Sequence, residues 1–199
     1  MNNKYLEKLI DDFFERIEVK NIDLDNEDNL QRLISYYIED NLPSGCEVIT
    51  EKNIKDICTT INKERGEKSE IDVCIINKNA DEKYAIELKY LKKAKNGGVN
   101  KCMEEYLKDI HFMERLKKDG GFSNTYALVV TNDPSYYTDS DRNNIGLYDY
   151  FRNNTTIKKD TIIEIKRKGE VVNTFKINND YTINWCVRGN IRYYVAKVK

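Results

Sequence analysis

Charged side chains interrupt two short apolar segments near the middle of this 199-residue chain. Asp72 lies within EIDVCIIN (70–77), and Glu87 and Lys89 lie within YAIELKYL (84–91). Ionised groups avoid a buried sheet unless another group pairs with them or they take part in chemistry. Two neighbouring carboxylates can hold a hard divalent cation such as Mg²⁺, and an adjacent lysine can position a water or offset charge on a phosphate. These residue types are suited to hydrolysis of a phosphodiester bond.

Both segments are predicted strands, joined by the polar turn NKNADEK. Because side chains alternate between the faces of a strand, Glu87 and Lys89 share one face, and the opposite face of the same strand is apolar. An antiparallel register with Asp72 opposite Lys89 also places Glu87 opposite Cys74. Directly opposite side chains lie ~5 Å apart and diagonal ones ~7–8 Å apart, so this register brings the two acids and the lysine together. A slip of one residue would move Asp72 to the other face.

A structural salt bridge is an alternative explanation for these charges. Tripeptides of the form (D/E)-x-K begin at four positions in the chain: Glu18, Asp81, Glu87 and Glu164. Of these, the tripeptide at Glu87 alone lies in an apolar predicted strand beside another strand that carries an acid. Catalysis would account for the pattern. A salt bridge on a solvated sheet face, either Asp72–Lys89 or Glu87–Lys89, would account for it equally well.

Composition and charge favour one soluble domain that spans residues 1–199. Hydrophobic residues make up 40% and charged residues 34% of the chain, and the formal net charge is −1, so an anionic ligand needs a local basic cluster. The five cysteines form no Cys-x-x-Cys pair, which favours reduced thiols in a cytoplasmic protein. No segment resembles a signal peptide or a membrane span, so no membrane partner is expected.

The predicted elements mix helices and strands in an order typical of a mixed α/β fold. The periodicity predicts helices at about 3–19, 26–40 and 100–118 and a short helix near 145–152. Further strands are predicted in CEVITE, in TYALVVT and in the two tail segments TIIEIKRKGEVVNTFKI and IRYYVAKV. The expected fold is a mixed sheet flanked by helices, with an N-terminal helix before the core and a β-rich C-terminal extension.

Asp72, separated by fourteen residues from Glu87-Leu88-Lys89 on strand–turn–strand, resembles the motif of the PD-(D/E)XK nuclease superfamily, which has a restriction-endonuclease-like fold. The superfamily core has the order α-β-β-β-α-β, which matches the order predicted for residues 26–132. The proline that often precedes the first acid of the motif is absent here, where EID stands instead. More loosely, three segments are similar to an uncharacterised bacterial branch of that superfamily: EDNLQRLISYYI, KDIHFMERLKKDGGFSNTYALVVTNDPSYY and NWCVRGNIRYYVAKV.

The resemblance implies a role for each residue of the motif. Asp72 and Glu87 match the two metal-binding acids, and the main-chain carbonyl of Leu88 matches the third protein ligand of the metal. Lys89 matches the lysine that serves the attacking water. The implied cofactor is Mg²⁺, with Mn²⁺ as a substitute.

The superfamily often adds an acid from the first core helix, and the segment NEDNLQRLISYYIED offers candidates. Glu27 is the predicted fourth catalytic residue because it borders the apolar stripe that should pack on the sheet. Gln31 is a weaker neighbour on the same stripe and is assigned to nucleic-acid binding. A first-turn acid favoured by the helix dipole is the alternative explanation for Glu27.

The basic loop KKAKNGGVNK follows the second strand and is predicted to contact substrate phosphates, which gives affinity without sequence choice. The lysines concerned are Lys92, Lys93, Lys95 and Lys101. An ordinary charged loop is the alternative. Tyr136, Tyr137 and Trp185 could stack on bases, although aromatic residues of a mixed α/β domain more often belong to the core.

His111 is the only histidine, which excludes zinc sites and ββα-metal nucleases that need two. At helical spacing it shares a predicted solvated face with Glu104, Lys108 and Arg115, so no catalytic role is expected for it. The absence of a G-x-x-x-x-G-K-[ST] motif argues against an NTPase.

Two hypotheses follow from the sequence. In the first, the chain is a cytoplasmic, Mg²⁺-dependent endonuclease that cuts DNA in restriction, defence or mobile-element biology. A homodimer is then expected, because double-strand cutting usually requires two copies of such a site. In the second, the nuclease-like fold is a non-catalytic module that binds nucleic acid or protein.

Overall fold

The computed structural model of the chain describes residues 3–58, 61, 70–92, 98–138 and 147–198. In this part of the chain the helices are α1 (Asn3–Val19), α2 (Glu27–Asn41) and α3 (Gly98–Asp119). Short 3₁₀ turns lie at Ile54–Asp56, Pro134–Tyr136 and Leu147–Phe151. The strands are β1 (Cys46–Asn53), β2 (Glu70–Asn77), β3 (Glu82–Leu91), β4 (Asn124–Thr131), β5 (Thr156–Ile157), β6 (Ile162–Arg167), β7 (Glu170–Lys176), β8 (Tyr181–Thr182), β9 (Cys186–Arg188) and β10 (Ile191–Lys197).

A six-stranded sheet in the order β1-β2-β3-β4-β10-β9 forms the centre of the described structure. Strands β3 and β4 run parallel, and α3 provides the crossover that a parallel pair requires. The other described pairs of this sheet are antiparallel. The predicted mixed α/β class is therefore confirmed, with a mostly antiparallel sheet.

Helices cover both faces of the sheet. On one face, α1 and α2 pack against the even-numbered side chains of β3 from Tyr84 to Tyr90. On the other, α3 and the C-terminal strands pack against Ala85, Leu91 and the odd-numbered side chains of β4. Each fully buried large apolar side chain contributes about 1.5–3 kcal/mol, so these two layers hold the sheet in place. Among the helices of the described residues, none has the length and apolar character to cross a membrane.

Local signals in the sequence account for several element boundaries. Helix α2 begins at Glu27 because Asn26 is extended and its side chain accepts a hydrogen bond of 2.7 Å from the Asn29 amide. The β6–β7 hairpin turns at Lys168 and Gly169, whose φ angles are 51° and 88°. Two successive positive φ angles match the twist of the flanking strands, which is why a glycine stands there.

The predicted solvated face of α3 is wrong. Glu104 is only 4% exposed, and its carboxylate accepts hydrogen bonds of 2.7 and 2.8 Å from Arg167 and one of 2.6 Å from Lys108. His111 donates from Nδ1 to the carbonyl oxygen of Lys176 at 3.0 Å. The β6–β7 hairpin therefore covers this face, and its charges pair across the interface.

A second buried carboxylate fixes the chain just beyond β7. Glu114 is 4% exposed and accepts hydrogen bonds of 2.9–3.0 Å from Asn178, Asn179 and Tyr181. Burial and the neighbouring Glu114 raise the pKa of Tyr181, which therefore stays protonated as a donor. The C-terminal extension thus docks on α3 through two buried acids, in addition to its apolar contacts.

We predict that Glu104→Gln destabilises the fold in a pH-dependent way. Burial favours a higher pKa for Glu104, but the hydrogen bonds and charges of Arg167 and Lys108 outweigh it and hold the pKa below the ordinary value of 4.5. A carboxyl with a depressed folded-state pKa stabilises the fold above its unfolded pKa and loses this contribution as the pH falls through its folded pKa. In urea titrations, the deficit of the variant should be full at pH 7 and should shrink below pH 4.5.

Glu105→Gln is the matched control on the same helix. Its side chain is 39% exposed and lies 3.7 Å from the exposed Lys101, an ion pair of a kind that contributes little. A deficit in Glu104→Gln that stays constant from pH 7 down to acid would contradict the assigned role of the charge.

Candidate active site

The sheet splits between β2 and β3. The described β2–β3 ladder runs from Asn77–Glu82 to Val73–Ile86 and ends there. Beyond that point β2 continues beside β1 as far as the pair Asn53–Glu70, and β3 continues beside β4 as far as Leu91–Thr131. We call the gap between the two strands the fork.

Two carboxylates take the place of β2 along this edge of β3. The Leu88 amide donates to Asp72 Oδ2 at 2.7 Å, and the Tyr90 amide donates to Glu27 Oε2 at 3.1 Å. A buried main-chain N–H without an acceptor destabilises the fold by about 1–3 kcal/mol. The fork is therefore held open with its main-chain donors satisfied by acidic side chains from β2 and from α2.

The register predicted from the sequence is wrong by two residues. Cys74 lies opposite Ala85, whereas the prediction paired it with Glu87 and paired Asp72 with Lys89. The turn is shorter than expected: Asn77 pairs directly with Glu82, and the Asn77 side chain accepts from the Asn79 amide at 3.2 Å. A shift of two residues does not change which face a side chain takes, so the predicted faces of β3 are unaffected by the error.

A backbone distortion accompanies the fork. Glu51 of β1, which lies between the pairs Thr50–Val73 and Lys52–Ile71, has a φ of 51°. Positive φ is uncommon for a residue other than glycine. Ile71 packs in the cluster under α3, whereas Val73 packs under α1 and α2. Strand β2 therefore rotates about its axis at Asp72, and this rotation accompanies the reach of the Asp72 carboxylate to β3.

Lys89 forms an ion pair with Glu27, with Nζ 3.2 Å from the carboxylate. The lysine side chain is 12% exposed and that of Glu27 is 36% exposed. One carboxylate of α2 thus contacts both the Lys89 side chain and the Tyr90 main chain. The prediction that Glu27 borders the face of α2 packed on the sheet is consistent with this position, since Leu30, Ile34 and Ile38 form the buried stripe.

Gln31 lies one helical turn after Glu27 and also reaches the fork. Its Nε2 donates to the main-chain carbonyl of Asp72 at 2.8 Å. The first two turns of α2 therefore contact both strands that border the fork, Glu27 touching β3 and Gln31 touching β2. The sequence predicted that Glu27 and Gln31 lie close to the site. It did not predict that they bind main-chain atoms, the Tyr90 amide and the Asp72 carbonyl.

Glu87 is 1% exposed. In the register with β4 it pairs with Ala127, which lies in the apolar cluster under α3. A carboxylate in such surroundings is costly unless it is paired or coordinates a cation. Glu87 directly precedes Leu88, whose amide binds Asp72, so the two acids of the motif belong to adjoining strands at the fork.

Neighbouring titratable groups stay protonated. Burial raises the pKa of the Cys74 thiol to about 11, which argues against a thiolate ligand or nucleophile at this position. Burial, together with the carboxylates of Asp25 and Asp23, raises the pKa of Tyr90.

The predicted phosphate-binding lysines are only partly described. Lys92 is exposed at the end of β3, and its carbonyl accepts from the Tyr136 hydroxyl at 3.0 Å. Lys101 is exposed on α3, 3.7 Å from Glu105. Lys93 and Lys95 lie outside the described residues. The prediction that Tyr136 belongs to the core is confirmed, since it is fully buried.

Comparison with family models, with curated proteins and with solved structures found no match to this chain. Within the described residues, no group of three or more histidine, cysteine, aspartate or glutamate side chains is arranged to hold a metal ion. The case for a site therefore depends on the geometry of the fork.

We predict that the two acids protect different main-chain amides from hydrogen exchange. In Asp72→Ala the Leu88 amide should exchange at least about tenfold faster while the Tyr90 amide stays protected, because a hydrogen bond to a charged acceptor contributes about 1.5–3 kcal/mol. Glu27→Ala should give the reverse pattern. Amide exchange followed by NMR measures both sites in each variant.

Asp28→Ala serves as the control, because Asp28 is exposed beside Glu27 in the first turn of α2. It should leave both amides protected. Faster exchange of both amides in either single variant would mean that the fork opens as one unit and would contradict this assignment.

Proposed function

We propose that the chain is a Mg²⁺-dependent endonuclease of the PD-(D/E)XK type that hydrolyses DNA phosphodiester bonds. The observation that carries the proposal is the fork, where acids from α2 and β2 and the lysine of β3 meet around Leu88. The order α2-β1-β2-β3-α3-β4 supports it, because this is the α-β-β-β-α-β order of the superfamily core. A restriction, defence or mobile-element role and a homodimer that cuts both strands belong to the same proposal.

The oxygen atoms at the fork suit Mg²⁺. This ion is commonly held by one or two carboxylates, with waters and substrate phosphates filling its octahedral shell. Asp72 and Glu87 would provide the carboxylates. The amide and carbonyl of one strand residue point to the same side, so the Leu88 carbonyl faces the fork beside the amide that binds Asp72. When bound, the metal would supply positive charge to the scissile phosphate.

Lys89 would orient the attacking water and offset negative charge on the phosphate as the new P–O bond forms and the bond to the leaving oxygen breaks. Its low exposure strengthens both effects, since charges interact more strongly where water is excluded. Glu27 would position Lys89 through their ion pair. Gln31 would act as a positioning residue for Asp72 through the Asp72 carbonyl.

The second candidate function is a non-catalytic module that binds nucleic acid or protein on the same fold. The observation that favours it is the Lys89–Glu27 ion pair, because a lysine already matched by a carboxylate has a structural explanation. The two candidates differ in what they predict for divalent metal and for cleavage.

We predict that the purified protein cuts or nicks DNA with Mg²⁺ or Mn²⁺ and that Lys89→Ala abolishes cleavage while the far-UV circular dichroism stays unchanged. Lys78→Ala is the matched control, since it removes a lysine from the opposite end of the same hairpin, where Lys78 pairs with Glu47 at the surface. It should cut at the parental rate. Cleavage that survives both Lys89→Ala and Glu87→Ala would exclude the proposed site.

We also predict that millimolar Mg²⁺ or Mn²⁺ raises the melting temperature of the parent, because a ligand that binds the folded state stabilises it. Asp72→Asn should lose this rise, since its neutral side chain can still accept from Leu88 but is a weaker metal ligand. Differential scanning fluorimetry across a metal titration measures both. A parent protein whose melting temperature does not change with metal would favour the non-catalytic module.

A further inference from the structure

Three side chains form an aromatic and cationic surface near the end of the sheet. The ring centroids of Tyr137 and Trp185 lie 6.1 Å apart, and the Arg192 guanidinium carbon lies 5.3 Å from the centroid of the Tyr137 ring. All three residues are partly exposed. We call this cluster the Trp185 surface; Trp185 packs against the apolar core on its inner side, and the three side chains keep partly exposed surface on the outer side.

A main-chain carbonyl and a side-chain amide hold Trp185 in one orientation. Its indole N–H donates to the Phe151 carbonyl at 2.7 Å, and its amide donates to Asn153 Oδ1 at 3.0 Å. On the inner side its ring approaches Tyr194, with centroids 6.5 Å apart. A fixed ring loses little freedom when a second ring stacks on it, so the Trp185 surface is prearranged for a planar ligand.

The strand register places this surface beside the fork. Lys89 pairs with Val129 of β4, which pairs with Tyr194 of β10, and Arg192 lies two residues before Tyr194. Residues that pair across neighbouring strands point to the same face of the sheet, and so do residues two apart in one strand. Lys89 and Arg192 therefore both lie on the face covered by α3. Strand spacings of about 4.8 Å and rises of about 3.3 Å per residue put their Cα atoms about 12 Å apart.

Among the described residues, basic side chains lie on the rim between the two sites, with an acid beside them. Lys92 is exposed at the end of β3, and the guanidinium of Arg152 lies 3.4 Å from the Ser135 carbonyl. Asp133 also lies on this rim, where its carboxylate accepts from the Ser135 amide. The Tyr136 hydroxyl ties the turn after β4 to the Lys92 carbonyl. A polyanion that leaves the fork toward β10 therefore meets lysine and arginine side chains.

We propose that the Trp185 surface binds an unpaired base and its neighbouring phosphate. Every base offers a π face to an aromatic ring, and a guanidinium stacked on tyrosine can still contact phosphate oxygens. Bases inside a duplex stack on one another, so the ligand is single-stranded nucleic acid or the single-stranded portion of a longer molecule. About 12 Å corresponds to three or four nucleotides of a stacked strand, which rises ~3.4 Å per nucleotide.

Under the proposed nuclease function, on which this part of the inference rests, the preferred substrate then has an unpaired stretch beside the scissile bond. Tyrosine, tryptophan and arginine are also common at the centres of protein interfaces. The nearness of the fork and the basic side chains Lys92, Arg152 and Arg192 favour nucleic acid over a protein partner.

The test uses the single tryptophan of the chain as its probe. We expect single-stranded oligothymidylate, added without divalent metal so that no cleavage occurs, to quench the emission of Trp185, and a blunt duplex of equal length to quench it far less. Tyr137→Ala should weaken single-strand binding about tenfold or more, and Tyr137→Phe should retain it. Arg192→Gln should lower the slope of log K against log salt by about 0.7.

Tyr37→Ala is the matched control, because Arg16 lies 5.6 Å from the Tyr37 ring centroid in an equivalent pair on α1 and α2. It should bind like the parent. No quenching, equal quenching by duplex, or equal weakening in Tyr37→Ala and Tyr137→Ala would overturn the proposal, and the first result would point to a protein partner. If oligothymidylate quenches the Trp185 emission but the protein does not cut DNA, the Trp185 surface is supported and the nuclease function is rejected. If the protein cuts DNA but the emission is not quenched, the nuclease function is supported and the Trp185 surface is rejected.

Discussion

Strand β3 has two main-chain amides that no neighbouring strand can satisfy once β2 has turned away, and the arrangement around the fork follows from that need. Both amides find carboxylate acceptors, one from Asp72 and one from Glu27. An N–H buried without an acceptor would destabilise the fold, so the two acids have a structural reason to be there. The same carboxylates leave oxygen atoms at a gap in the sheet, and the proposed function places a cation and a phosphate there.

The two faces of the sheet contribute differently to this arrangement. On one face α2 brings Glu27 and Gln31 to the fork, and its position is set by the buried stripe of Leu30, Ile34 and Ile38. On the other, α3 covers Glu87 and carries the C-terminal extension through the buried carboxylates of Glu104 and Glu114. The apolar layers therefore fix the elements, and the polar contacts between elements fix the orientation of the charged groups.

The structural and catalytic explanations of Lys89 share one set of contacts. Its ion pair with Glu27 would hold a nearly buried lysine in a purely structural protein, and it would keep the same lysine in position in the proposed nuclease. The contacts of the resting chain are compatible with both. Measurements of metal binding and of DNA cleavage distinguish the two explanations, because both activities also need Asp72 and Glu87, which the Lys89–Glu27 ion pair does not need.

Many elements of the fold were predictable from the sequence, because apolar periodicity and polar turns are local properties. The limits predicted for α1, α2 and β2 agree with the structure to within one residue. The apolar run at β4 indicated a strand covered on both faces, and every residue of β4 is buried. The alternation in β3 also assigned its faces correctly, because each side chain's face follows from its position in the strand alone.

The amino-acid sequence by itself determined which residues are acidic, basic and apolar and on which face of β3 each one lies. The tertiary structure decided the register, because that depends on how tightly Asn77 closes the turn, and it alone revealed the fork. It also showed that Glu104 is buried. An acid on a helix is expected to be exposed, and its partner Arg167 lies on a hairpin that is distant along the chain. Contacts between residues that are remote along the chain leave no local pattern, which is why the partners of Asp72, Glu27 and Gln31 emerged only from the folded chain.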